Sequence, residues 1–205
     1  MRYAELRKIR RLFFGHEEIA RQLRVSLNSA KVTAYRYVKQ GLLVRVKRNL
    51  YVLSERWLTF GKNEVFAIAN LIQVPSYISL MTALDYYQLT TQIQQNFIES
   101  ISITRTIQTE VKPFLFTYTK IQKKLYFGFA RKEGIFIAEP EKAYLDAVYL
   151  MSCGRYNLDL AKKLAGFKTR DFKVKLGSVL EPDVRAYYVK NGFKFLRQKL
   201  KEQKS

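Results

Sequence analysis

Residues 24–53 read RVSLNSAKVTAYRYVKQGLLVRVKRNLYVL, and this stretch decides the fold of the N-terminal part. Ser26 or Asn28 can accept from the free N–H groups that open a helix. The spacing then predicts a helix running to Gln40, with Gly41 as its stop. Within it Ala30, Ala34, Tyr37 and Val38 fall on one stripe, and Asn28, Lys31, Val32, Tyr35, Arg36 and Lys39 fall opposite. After Gly41, LLVRV and NLYVL are two β-prone runs joined at Lys47-Arg48-Asn49, a hairpin signal. Leu43 or Val44, Val46, Leu50 and Val52 are expected to close the core, leaving Arg45, Lys47 and Arg48 at the tip.

Working outward, HEEIARQL before this stretch places Ile19, Ala20 and Leu23 on one face, with Glu17 and Glu18 where the helix dipole favours carboxylates. Gly15 precedes it. Tyr3 to Phe14 carries Leu6, Ile9, Arg10 and Phe13 at helical spacing and reads as a first helix. Three helices and a basic hairpin in this order predict a winged helix-turn-helix. Its third helix has small alanines toward the scaffold, and outward it carries cations together with side chains able to touch base edges, the make-up of a major-groove recognition helix. The hairpin tip is expected on the phosphate backbone or in the minor groove. Specific contacts are assigned to Asn28, Ser29, Lys31, Tyr35 and Arg36, and backbone contacts to Lys39, Arg45, Lys47 and Arg48. The competing reading is a three-helix scaffold whose cations are only a solvated face.

Charge weighs against that competitor. The 205 residues hold 37 Lys and Arg against 17 Asp and Glu, a formal charge of +20, and the pI is near 10.0. Residues 1–60 carry 14 basic and 4 acidic side chains, residues 61–150 carry 9 and 8, and residues 151–205 carry 14 and 5. A near-neutral body thus lies between two basic ends. Such segregation points to a polyanion, nucleic acid before an anionic membrane surface. The single cysteine, Cys153, excludes an internal disulfide framework and a Cys/His metal cluster. No apolar run approaches the roughly 18 residues of a membrane span and no signal-peptide pattern is present, so the chain reads as cytoplasmic.

SERWLTFG, residues 54–61, reads as a connector in which Trp57, Leu58 and Phe60 dock the halves, giving domains 1–58 and 59–205. EVFAIANLI is an apolar helix, and PSYISLMTALDYYQL a brief extended entry followed by a helix. FIESISITRTI, FLFTYTKI, LYFGFARK and GIFIA alternate with period two and predict a small, mostly antiparallel sheet covered by helices. GIFIA leads into EPEKAYLDAVYLM, a helix with Pro140 in its first turn, Ala143, Tyr144, Ala147, Val148 and Met151 toward the sheet and Asp146 toward the outside. Asn157 to Lys201 reads as basic and helical. The whole is expected to be α+β.

Residues for catalysis are sparse. There is no Gly-rich phosphate loop, GxSxG elbow or HExxH pair, and His16, the single histidine, reads as a cap or surface residue. A metal-dependent nuclease would be basic and would need clustered acids, for which Glu139, Glu141 and Asp146 are the candidates; starting a helix is the more ordinary task for the first two. Aromatics interleaved with lysines in FLFTYTKIQKKLYFGFARK could stack single-stranded bases, but their strand spacing favours sheet packing. The reading is a binding protein with no cofactor and no metal.

Taken together, GLLVRVKRNLYVL, SYISLMTALDYYQLT and IAEPEKAYLDAVYL, in this order, resemble the AbiEi-type antitoxins of bacterial abortive-infection systems. The resemblance covers roughly residues 10–155, with IAEPEKAYLDAVYL its most specific part. It implies a transcriptional repressor that acts through its winged helix on double-stranded operator DNA upstream of its own operon. It also implies a second domain with antitoxin activity, countering a co-encoded nucleotidyltransferase-like toxin without a stable complex. A winged-helix regulator unrelated to any toxin remains the alternative.

Overall fold

The computed structural model describes residues 2–88 and 95–156; the helical reading of Asn157 to Lys201 lies outside them. The chain divides into two compact units, Met1–Ile68 and Ala69–Ser205. The sequence reading set the boundary at Leu58, whereas this division falls further on, inside a helix. Both units mix helices and strands, so the chain is α+β.

The first unit contains α1 (Tyr3–Leu6), α2 (His16–Leu23), α3 (Leu27–Lys39), the antiparallel pair β1 (Leu43–Lys47) and β2 (Leu50–Leu53), and α4 (Ser54–Trp57). Helix α5 (Lys62–Ile72) crosses the division. Its core is Leu6, Ile9, Phe14, Ile19, Leu23, Ala30, Ala34, Leu43, Tyr51 and Leu53, with Tyr37 and Val38 packed against it. The alanines let α3 approach α2 closely, as its stripe predicts. Ser26 caps α3 by accepting from the Ser29 N–H at 3.2 Å, and Gly41 follows at φ +70°.

The first helix is shorter than the periodicity predicts: it stops at Leu6, and Arg7–Phe14 run without helix. Arg56 supplies the reason. Its guanidinium donates to the carbonyls of Ile9 (2.6 Å), Arg7 (3.1 Å) and Arg11 (3.3 Å), giving these acceptors the donors that helical N–H groups would otherwise supply. Phe14 then exchanges both backbone hydrogen bonds with Tyr51 of β2, at 3.0 and 2.9 Å. The hairpin also faces the core differently from expectation. Leu43, Tyr51 and Leu53 meet the helices, while Val46, Leu50 and Val52 are buried apart from that cluster. A bulge shifts the register between Arg45 and Lys47. In the connector Trp57 is buried, but Leu58 is 77% exposed and so is not the docking residue expected of it.

The second unit is a six-stranded sheet in the order β5-β6-β4-β3-β8-β7, with β3 (Ser76–Ile78), β4 (Phe97–Ser102), β5 (Ile107–Val111), β6 (Phe114–Lys120), β7 (Phe129–Lys132) and β8 (Ile135–Ala138). Helix α6 (Leu80–Tyr86) packs on β4 and on α7 (Pro140–Ser152). The sheet is mixed: β4 pairs parallel with β6 and β3 parallel with β8, while the other three pairings are antiparallel as expected. FIESISITRTI is also two strands, broken at Ile103–Thr106. Strand β4 is buried from Ile98 to Ser102, as suits a strand covered on both faces. Of its polar residues, Glu99 and Ser102 have protein partners, whereas the buried Ser100 hydroxyl has none. The Glu99 carboxylate accepts from the Met81 N–H at the start of α6 and from the Tyr156 hydroxyl, both at 3.1 Å.

Candidate nucleic-acid interface

All nine residues assigned to contacts, Asn28, Ser29, Lys31, Tyr35, Arg36, Lys39, Arg45, Lys47 and Arg48, are exposed. The amphipathic pattern of α3 turns Ala30 and Ala34 inward, so Lys31, Tyr35, Arg36 and Lys39 turn outward. Ser29 is partly committed: its hydroxyl accepts from the Ser26 hydroxyl at 2.9 Å within the cap. Lys39 Nζ lies 5.0 Å from the centre of the Tyr35 ring, a distance at which the ring face attracts the cation.

The hairpin tip is fastened to α2 through Asn49. At φ +57° it takes the left-handed conformation that Asn tolerates better than most residues. Its carbonyl oxygen accepts from the His16 N–H at 2.6 Å, and its amide donates to Glu17 at 3.2 Å. The turn of the hairpin thereby caps α2 from a distance. Gly15 makes room for this: a Cβ there would stand 2.9 Å from a Glu17 carboxylate oxygen and 3.0 Å from the Asn49 oxygen.

His16 shows how the cations are arranged. Its Nε2 lies 2.9 Å from the Tyr51 hydroxyl. Burial holds the imidazole below its ordinary pKa, and Lys31, Arg45 and Arg48 push it further down, with Glu17 opposing. Lys31 belongs to α3 and the two arginines to the hairpin region, so cations of both elements act electrostatically on His16.

The second unit holds a cluster that the sequence reading placed wrongly. Asp146 was expected on the outside of its helix, yet its side chain is fully buried and Lys142 is 3% exposed beside it. From Lys142 to Ala147 every side chain of α7 is buried, Asp146 among them. The carboxylate accepts from Lys142 Nζ at 2.5 Å, Ser79 Oγ at 2.8 Å and Tyr77 Oη at 2.9 Å, and Lys142 also donates to the Leu125 carbonyl at 2.8 Å. Burial pushes the lysine down and the aspartate up, and each stabilises the charge of the other. Glu139, grouped with Asp146 as a candidate metal ligand, instead pairs with Lys132 at 3.3 Å. Among the described residues no group of three His, Cys, Asp or Glu could hold a metal ion, and no helix is long and apolar enough to cross a membrane.

Arg56, Asn49 and the Lys142–Asp146 pair are structural supports that sequence reasoning missed. Only the last left a signal: two opposite charges at i and i+4 in a helix otherwise almost wholly apolar.

The fold and site thus define a two-unit α+β protein with a basic helix-and-hairpin surface. No protein-family model matches the chain, and no curated protein does. Among solved structures, the crystal structure of the RV2827C protein from Mycobacterium tuberculosis matches with a TM-score of 0.51 at 10% identity, over 93% of this chain and 75% of that one. At that identity the likeness is one of fold.

Proposed function

We propose that the chain is a DNA-binding transcriptional regulator whose first unit acts as a winged helix. Helix α3 would enter the major groove, and the β1–β2 tip would lie along the adjacent backbone or minor groove. The observation that supports this is the convergence on His16 of Lys31 from α3 with Arg45 and Arg48 from the hairpin region. Asn28 and Arg36 can read base edges bidentately, while Lys39, Lys47 and Arg48 suit phosphates. The test is footprinting of the full-length protein on the DNA upstream of its own gene, with Arg36→Ala alongside. The variant should keep most of its affinity for unrelated duplex and lose about tenfold or more on the footprinted site. An unchanged ratio between the two DNAs would show that α3 does not read the groove through Arg36.

The finer reading is an autoregulating antitoxin of the AbiEi type, acting by binding and not by catalysis, and countering a co-encoded nucleotidyltransferase-like toxin without a stable complex. It is supported by the resemblance carried by IAEPEKAYLDAVYL, the stretch that supplies Lys142 and Asp146. Co-expression with the product of the adjacent reading frame decides it: rescue of growth by this chain supports the antitoxin role. Growth arrest that this chain does not relieve, or an adjacent product without toxicity, leaves a regulator unrelated to any toxin.

A further inference from the structure

The outward face of α3 carries an apolar residue that charge alone does not account for. Val32 is 55% exposed in the middle of the helix, bracketed by Asn28 one turn before and by Tyr35 and Arg36 one turn after. A solvent-facing position in mid-helix favours Ala or a long polar chain, and a β-branched residue there is less favourable by roughly half a kcal/mol. Its surroundings are cationic: Lys31 precedes it, and Arg36 and Lys39 follow on the same face. Of the other exposed large apolar groups of α3, Leu27 (42%) stands at its first residue, away from mid-helix, and Tyr35 (59%) already has the Lys39 ammonium against its ring. Val32 is thus a small apolar knob within a basic rim, too small for a protein-docking patch, which runs to hundreds of Å².

A partner complementary to this surface is polyanionic and offers an isolated apolar spot at the depth of a helix side chain. Duplex DNA has one such feature in the major groove: the 5-methyl group of thymine, which separates T from C at that edge. We infer that Val32 reads thymine by packing against its 5-methyl group, so that part of the specificity of α3 is apolar. This rests on the DNA-binding reading above. It adds a residue absent from the polar contact set and fixes the kind of base it faces.

The test compares full-length protein on two versions of the same duplex, the region upstream of its own gene, amplified with dTTP or with dUTP. Uracil keeps every hydrogen-bonding group of thymine and lacks only the methyl. Wild type should bind the thymine fragment roughly threefold to tenfold more tightly, the worth of one or a few buried methyl groups. Val32→Ala should bring that ratio close to one, and Val32→Thr, which keeps a γ-methyl, should hold an intermediate ratio. Equal wild-type affinity for the two fragments overturns the inference and leaves DNA binding standing. So does a wild-type ratio preserved in Val32→Ala, since the preference then arises elsewhere. Should Val32→Ala lose both fragments, the Val32→Thr ratio decides, a value of one counting against the inference. If wild type binds neither fragment above unrelated DNA, the reading beneath it fails and takes the inference with it.

Discussion

Arg56 and Asp146 are two residues whose single charges hold together segments far apart in sequence. Arg56 fixes the carbonyls of Arg7, Ile9 and Arg11 in a fork that an ammonium cannot copy. Arg56→Met should lower the stability of the first unit by about 2–3 kcal/mol, with Arg56→Lys recovering less than half, as read from urea unfolding. At Asp146 the expectation is sharper, because removing one member of a buried pair strands the other. Lys142→Met should cost about 3–5 kcal/mol. The double variant Lys142→Met with Asp146→Leu should cost clearly less than the sum of the two single changes; additive losses would mean that the charges do not depend on one another. His16 gives the pH dependence. Its folded pKa lies below the ordinary 6.5, so the unfolded chain takes up the proton first as pH falls. Stability should therefore be level above about pH 7 and decline from about 6.5 downward, until the folded imidazole also protonates. Glu17 is likewise shifted down, below its ordinary 4.5, so its contribution is lost only at lower pH. As His16 is the single histidine, His16→Gln should remove the decline that begins at about pH 6.5 while retaining a partner for the Tyr51 hydroxyl.

Among the elements, those written by local chemistry could be read in advance. Helices α2 and α3 and the hairpin follow from Gly15, the Ser26 cap, Gly41 and the turn at Arg48–Asn49, each of which acts within a few residues of itself. Ser26→Ala should accordingly cost about 1 kcal/mol, measurable as a lowered unfolding midpoint. Elements whose reasons lie far along the chain could not be read. Helix α1 is cut short by an arginine beyond the hairpin. The parallel pairings of β4 with β6 and β3 with β8 are choices of partner that no strand records in its own residues. Alternation in β4 likewise does not distinguish water from a buried partner such as the Met81 N–H that Glu99 accepts from. The candidate surface was legible for the opposite reason: α3 is amphipathic, so its packing stripe names its outward residues. What it did not reveal is that the Ser29 hydroxyl belongs to the cap, or that Asn49 ties the hairpin to α2.

At the scale of the whole molecule, the distribution of charge makes a quantitative demand on DNA binding. Six cations are assigned to the surface: Lys31, Arg36, Lys39, Arg45, Lys47 and Arg48. Were each to displace one condensed counterion, the logarithm of the binding constant would fall with the logarithm of salt at a slope of about −5. A residue that touches only phosphate contributes equally to every duplex. Arg48→Ala should therefore weaken binding to the upstream site and to unrelated DNA by the same factor, and should make the slope shallower by about one unit. Arg36→Ala should make the slope shallower by a similar amount, but, with its guanidinium assigned to a base edge, should in addition change the ratio between the two DNAs. Residues 151–205 carry a further 14 basic against 5 acidic side chains, and they would announce any contact of their own as a wild-type slope steeper than the six cations supply. Titration of both variants from about 50 to 300 mM salt separates these contributions. A wild-type slope near −1 would contradict the assignment of the six cations to phosphate and groove, since a surface of that charge cannot meet duplex DNA without releasing more ions.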